Sequence, residues 1–250
     1  MPEDKKIAVE FDNVTFSVDN RSLVSNLNFS VYQGEALILL GRSGSGKTTT
    51  MKLINGLFMP TGGEVRVQGR STKDWDLIKL RRTIGYVIQE IGLFPHFTIA
   101  RNVGLVPALE GWNPKQIKAR VYELLQLVGL DPVQFSDRYP HELSGGQRQR
   151  VGVARAIAAD PPILLMDEPF GALDPITRLE LQQEFHRLQQ QLNKTVVFVT
   201  HDIQEAFVLA SRIGLMETGR LGVLETPAEF LKSSHPEAID FLECLGMFKP

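Results

Sequence analysis

"GRSGSGKT", Gly41 to Thr48, lies between the apolar run "EALILL" (Glu35–Leu40) and the helix-compatible "TTMKLIN" (Thr49–Asn55). A glycine-rich loop in a strand–loop–helix setting is the phosphate-binding loop pattern in the context that pattern requires. The residue types explain themselves chemically. Along Gly41, Arg42, Ser43, Gly44, Ser45 and Gly46 the backbone can bring N–H groups around phosphate oxygens, and the helix start adds about half a positive charge. Lys47 is placed to reach β- and γ-phosphates, Thr48 to give its hydroxyl to Mg²⁺, and Thr49 follows in the first turn.

Outward from that loop, two more runs read as strands buried on both faces, "PILLMD" (Pro162–Asp167) and "TVVFVT" (Thr195–Thr200). Their nearly continuous apolar character is that of parallel strands in a covered sheet. Helical patterns separate them. Asp174-Pro175 offers a cap and a first-turn proline before Leu181, Phe185, Leu188 and Leu192. The alternation predicts an α/β core. "IAVEFDNVTFSV" alternates by two, predicting an antiparallel β portion at the N-terminal side. In the middle, Asn113-Pro114 opens a helix with Ile117, Val121, Leu124, Leu125 and Val128 on one face, closed by Gly129. With "SGGQRQRVGVARAIAA" it predicts a mostly helical subdomain inserted between core strands, roughly Glu90 to Asp160. The expected layout is one domain over 1–235 and a short helical tail over 236–250, with Ala238, Ile239, Leu242 and Leu245 at helical spacing.

Composition limits the function classes. The 250 residues are 43% hydrophobic and 22% charged, as in a globular protein rather than a disordered or fibrous one. Lys and Arg total 27 against 29 Asp and Glu, which is no basic footprint for nucleic acid, and none is expected as a partner. Charged residues occupy the place of a signal peptide's apolar core in "MPEDKKIAVEF", and the apolar runs fall short of the about 20 residues a bilayer span needs. The lone Cys244 suits a reducing compartment. Any membrane association is therefore expected to run through a partner.

"PILLMDEP" (Pro162–Pro169) sets two carboxylates at the end of an apolar strand, where ligands of open α/β sheets sit. Asp167 is expected to hold Mg²⁺ and Glu168 to orient and deprotonate an attacking water. An acidic turn capping the next helix is the bland alternative. His201 ends "TVVFVT" and is a candidate γ-phosphate contact; a capping or core histidine is its competitor. Gln89 in "YVIQEIGLFPHF" reads, taken alone, as a turn residue. A second phosphate-binding helix start, "LSGGQRQR" (Leu143–Arg150), is unexplained by one site in one chain.

Taken together, these stretches resemble the ATPase subunit of an ABC transporter, in the expected order and over nearly the whole chain. Walker A is "GRSGSGKT", the Q-loop residue Gln89, the signature "LSGGQ", Walker B "ILLMDE", the D-loop "GALD" (Gly171–Asp174) and the switch histidine His201. The resemblance implies a P-loop NTPase fold, ATP with Mg²⁺, and Glu168, His201 and Gln89 as the catalytic set. It also implies Thr48, Gln89 and Asp167 around the metal, and communication across a dimer through Asp174. Ser144, Gly145, Gly146 and Gln147 would then act in trans, on ATP held by another copy in a homodimer or pseudo-dimer.

"YVIQEIGLFPHFTIARNVGLVPALEGW" and "DRYPHELSGGQRQRVGVARAIAADPPILLMDEPFGALDPITR" look like bacterial importers for glycine betaine, choline, carnitine or proline. That resemblance implies transmembrane permease subunits as partners, a substrate-binding protein indirectly, and a peripheral place on the cytoplasmic face of the bacterial inner membrane. The apolar stretch Leu93, Phe94, Pro95, Phe97 and Ile99 is the expected docking surface for the permease. The family places an aromatic residue just after the first strand to stack on adenine; Val18 falls there, with Phe16 two residues earlier on the same face. Another importer, an exporter or lipid-trafficking ATPase and a non-transport ABC ATPase stay open as alternatives.

Overall fold

The computed structural model describes residues 6–89, 92–171 and 173–245. Glu90, the expected start of the helical stretch, and Ala172 of "GALD" lie outside the described residues. The chain divides into two compact units, Met1–Arg81 with Leu192–Pro250, and Arg82–Gln191.

The first unit begins with β1 (Ile7–Val18) and β2 (Arg21–Tyr32), an antiparallel hairpin. Its two-residue turn puts Asp19 at φ 48° and Asn20 at φ 62°, the left-handed region that short polar side chains tolerate and that matches hairpin twist. The chain continues through β3 (Ala36–Leu40), α1 (Lys47–Ile54), β4 (Gly62–Val67), β5 (Arg70–Ser71) and α2 (Leu77–Arg82). An antiparallel sheet runs in the order β2-β1-β4-β5, as the alternation of the first segment predicts. Val9, Val14, Leu27 and Val31 are fully buried under it, and Phe11 stacks on Phe29 at 4.4 Å.

The second unit carries β6 (Ile84–Val87), α3 (Ile99–Val103), α4 (Leu105–Leu109), α5 (Pro114–Leu127), α6 (Pro132–Phe135), α7 (Gly145–Ala156), β7 (Ile163–Asp167) and α8 (Pro175–Leu192). β6 and β7 pair in parallel. α5 starts with a capping box, the Asn113 side chain accepting from the Gln116 N–H at 2.9 Å, and Gly129 (φ 71°) ends it. α5 and α7 close each other's C-terminal ends. Arg120 of α5 donates to the carbonyls of Ile157 and Ala158, each at 3.2 Å. Arg150 of α7 donates to the Val128 carbonyl at 2.9 Å and pairs with Glu184 of α8. Cations at helix C-termini satisfy orphan carbonyls and the dipole together.

The chain then returns to the first unit with β8 (Thr195–Thr200), α9 (Ile203–Leu209), β9 (Arg212–Glu217), β10 (Arg220–Glu225), α10 (Pro227–Phe230) and α11 (Pro236–Cys244). β3 is flanked by β8 and β9, both parallel to it, and β10 pairs antiparallel with β9. All residues of β3 and β8 are buried, which is why both read as unbroken apolar runs. The three strands expected from the sequence are present, with starts moved by at most one residue.

Candidate active site

Leu40, the last residue of β3, pairs with Thr200, the last of β8. The loop Gly41–Gly46 and His201 therefore leave the C-terminal ends of adjacent parallel strands, the edge at which α/β sheets bind ligands. The loop's glycines have specific reasons. A Cβ on Gly41 would sit 2.3 Å from the Met216 carbonyl oxygen, so only glycine lets the loop pass β9. Gly46 precedes α1 at φ 100°, a backbone conformation L side chains rarely adopt. Lys47 is 5% exposed, and its ammonium donates to the carbonyls of Gly41 at 2.7 Å and Arg42 at 2.9 Å. Ser45 Oγ is buried without a partner, and a Cβ on Gly44 would meet nothing within 4 Å. An orphaned hydroxyl, an open glycine cradle and a fixed ammonium beside a helix N-terminus fit a polyphosphate. Arg42, Ser43 and Gly44 are exposed, while Thr48 and Thr49 are half-buried in the first turn of α1.

Phe16 is 9% exposed and stacks on Phe58 with centroids 4.9 Å apart and planes at 12°. Val18, at the end of β1, is 45% exposed. One face of Phe16 is thus already covered by a ring that nothing in the sequence near Phe16 announces.

In the second unit, Val87 pairs with Met166, so Gln89 and the Asp167–Glu168 pair also leave neighbouring parallel strand ends. Gln89 Nε2 donates to Glu168 Oε2 at 3.3 Å. Glu168 is half-buried and holds φ 44°, a strained backbone for a non-glycine residue of the kind that clusters at functional sites. Asp167 is 6% exposed. Burial, followed by the Asp167 charge, pushes the Tyr86 hydroxyl well above its usual titration range. Within this unit Gln89 and Asp167 carry oxygen donors of the hard type Mg²⁺ takes. Among the described residues no group of three or more His, Cys, Asp and Glu could hold a metal.

Ser144 caps α7 in a complete capping box. Its Oγ accepts from the Gln147 N–H at 3.2 Å, and Gln147 Oε1 accepts from the Ser144 N–H at 2.9 Å. A Cβ on Gly146 would lie 2.9 Å from Thr177 Cγ2 of α8, while one on Gly145 would lie 3.7 Å from Leu173. Asp174 caps α8 by accepting from the Thr177 N–H at 3.0 Å. That bond, then the Thr177 side chain, holds its carboxyl below the ordinary value of 3.8.

Three structural participants escaped the sequence reading. Glu205 in the first turn of α9 is 3% exposed and accepts from the Thr200 hydroxyl, beside His201. Asn102 is fully buried and binds the loop before α3 on four sides: Phe94 N–H at 2.8 Å and the carbonyls of Phe94, Phe97 and Thr98. It leaves Phe94 41% exposed, whereas Ile99 is fully buried and belongs to the core of its unit rather than to a docking surface. The third is the tail: Glu237 and Asp240 of α11 pair with Arg42. No local pattern marks that contact.

The ABC transporter family model matches residues 24–171. The choline transport ATP-binding protein OpuBA of Bacillus subtilis is 53% identical over 220 residues, 88% of this chain and 58% of that protein. The osmoprotectant import ATP-binding protein OsmV of Salmonella typhimurium is 52% identical over 208 residues, 83% of this chain and 54% of that protein. The chain thus spans a little over half the length of these curated relatives. The dimeric ATP-binding cassette MJ0796, in a post-hydrolysis state bound to ADP and Pi, superposes with a TM-score of 0.78 at 36% identity, covering 87% of this chain and 98% of that one. With more than half of its residues matched by that family model and relatives above 50% identity over most of its length, the chain belongs to the ABC transporter family.

Proposed function

We propose that the chain is the ATP-hydrolysing, nucleotide-binding subunit of a binding-protein-dependent importer for osmoprotectants, either quaternary amines such as glycine betaine, choline or carnitine, or proline. The observation that carries the ATPase reading is the phosphate loop itself, with Lys47 buried and donating to the Gly41 and Arg42 carbonyls beside the orphaned Ser45 hydroxyl. The names of the relatives, choline transport and osmoprotectant import, support the solute class.

In this reading the N–H groups of Gly41–Thr49 and the Lys47 ammonium bind the phosphates and fix their orientation. Glu168 takes the proton from the attacking water, and Gln89, donating to Glu168, orients that carboxylate. His201 contacts the γ-phosphate. Thr48, Gln89 and Asp167 would hold Mg²⁺, which when bound neutralises charge developing on the phosphoryl oxygens. Phe16 or Val18 borders adenine. Ser144, Gly145, Gly146 and Gln147 serve the nucleotide of a second ATPase subunit, with Asp174 signalling between the two. Transmembrane permease subunits dock by way of the exposed Phe94, and a substrate-binding protein delivers solute to them. The subunit works at the cytoplasmic face of the bacterial inner membrane; among the described residues no helix is long and apolar enough to cross it.

The test is reconstitution with the permease and binding protein from the same operon in liposomes. ATP-dependent uptake of labelled choline or glycine betaine, lost with Lys47→Ala, is expected. Uptake indifferent to ATP or to Lys47 overturns the motor reading, and robust ATPase without uptake of proline or any quaternary amine overturns the solute class.

A further inference from the structure

The phosphate loop is tethered to the C-terminal helix. Arg42 Nε donates to Glu237 Oε1 at 2.9 Å and Nη2 donates to Asp240 Oδ2 at 2.7 Å. The two carboxylates stand three residues apart, on one face of α11, so a single guanidinium meets both. The hydrogen bond it donates to Glu237, then the Glu237 charge, raises the Arg42 titration above its usual value. α11 is itself fixed, with Ala238 and Leu242 fully buried. The other end of Arg42 lies inside the site: its carbonyl accepts from the Lys47 ammonium at 2.9 Å and from the Ser45 N–H at 3.2 Å.

A continuous chain of contacts therefore runs from α11 through the Arg42 side chain to the Arg42 carbonyl and on to the Lys47 ammonium. Apart from Arg42, the loop is held by the Lys47 ammonium on the Gly41 carbonyl at 2.7 Å and by the Gly219 N–H on the Ser45 carbonyl at 3.0 Å. Gly41, Gly44 and Gly46 have no side chains, and Ser45 Oγ makes no hydrogen bond. Ordering a glycine-rich loop before the ligand arrives removes that ordering from the binding step. We propose that Arg42 is a positioning residue for nucleotide binding, and that the acidic face of α11, through Glu237 and Asp240, holds the phosphate loop in its binding geometry. The proposal rests on the ATP reading of the same site.

Simple electrostatics and the tether predict opposite signs, which makes a decisive test. Removing two negative charges near a phosphate site tightens ATP if charge alone matters, and weakens it if α11 positions the loop. In the full chain, Glu237→Gln/Asp240→Asn is expected to raise the Kd for MgATP about three- to tenfold, the range of a pair of exposed ion pairs. The same variant is expected to leave kcat at saturation nearly unchanged. In an Arg42→Ala background the same two substitutions should have no effect, because their partner is gone. The wild-type Kd should weaken more steeply than the variant's as salt rises from about 0.1 M to about 1 M, where the screening length falls from about 10 Å to about 3 Å. Unchanged or tighter MgATP binding by a folded variant overturns the proposal, as does an effect that survives in the Arg42→Ala background. Amide hydrogen exchange at Ser43–Lys47 without nucleotide gives a reading that does not depend on ATP. Faster exchange in the variant supports the tether, and identical exchange overturns it. A wild-type chain that binds no MgATP but shows the exchange difference sinks the ATP reading alone.

Discussion

The Thr200 hydroxyl donates to the Glu205 carboxylate across 2.6 Å, with Thr200 2% and Glu205 3% exposed. The same hydroxyl accepts from the Asp202 N–H at 2.9 Å, so one oxygen fixes both sides of His201. Thr200→Val keeps the shape and removes the oxygen, leaving a buried carboxylate and an N–H short of a partner. The expected loss is about 1–3 kcal/mol in unfolding free energy by urea titration. ATP turnover should fall with it, because the His201 turn is no longer held. An unchanged midpoint would show that the remaining partners of Glu205 suffice.

Glu168→Gln keeps the size and a hydrogen-bonding partner for Gln89 but removes the proton acceptor. Hydrolysis should drop about 10²- to 10⁴-fold while fluorescent ATP analogues still bind. Near-normal turnover would remove Glu168 from the role of general base.

Gly146→Ala tests the packing of the "LSGGQ" helix. Alanine gains about 0.5–1 kcal/mol of helix propensity over glycine, but its Cβ would meet Thr177 Cγ2 at 2.9 Å. Overpacking of that kind costs about 1–3 kcal/mol, so the single variant should be less stable. Combining it with Thr177→Ser, which deletes the obstructing methyl, should turn the effect stabilising relative to Thr177→Ser alone. Equal responses in both backgrounds would show that the contact is not what requires glycine.

Asp174 gives a pH signature. Its folded carboxyl titrates below its ordinary 3.8, because the Thr177 N–H and hydroxyl bind the ionised form. A depressed carboxyl contributes stability above its unfolded pKa and loses that contribution as pH falls through the folded one. Asp174→Ala should therefore melt lower than wild type near pH 7, and the gap should narrow as pH drops below about 4. A gap of constant size down to acid pH would assign the loss to something other than the ionised cap.

Adding a ring at Val18 tests which residue borders adenine. A base–aromatic stack is worth about 1–3 kcal/mol, or about five- to a hundredfold in affinity. Val18→Tyr should tighten ATP binding accordingly by calorimetry. No change, with weakening on Phe16→Ala, would show that Phe16 does the stacking despite its contact with Phe58.

What was legible in the sequence has a physical pattern. β3, β7 and β8 are short, fully buried and apolar except for Asp167 and the two terminal threonines of β8, so composition delimits them. The capping boxes at Asn113 and Ser144 act over three residues and leave their mark within a local window. The α11 positions at helical spacing were visible too, but not their acidic partners' role. Arg42 and Glu237 stand 195 residues apart, and Phe58 stands far from Phe16 in sequence; each side chain has an ordinary surface identity until the chain folds. Asn102 reads as a polar residue in a short helix, and only its four bonds show it to be the staple of the loop. Ile99 misled for the opposite reason: Phe94 and Pro95 of the same stretch are exposed and Leu93 and Phe97 half-buried, whereas Ile99 is fully buried.

The capping box at Ser144 bears on speed as well as on shape. A helix leaves its first-turn N–H groups without intrahelical acceptors, and the box uses those of Ser144 and Gln147. The box leaves the N–H groups of Gly145 and Gly146 out, in a helix end that is ordered within its own chain. A partner's phosphate would therefore meet a finished surface rather than one that must fold around it. Encounter should then be limited by diffusion and orientation, in the range of about 10⁵–10⁷ M⁻¹s⁻¹, with the lifetime of the complex rather than its rate of formation set by the nucleotide.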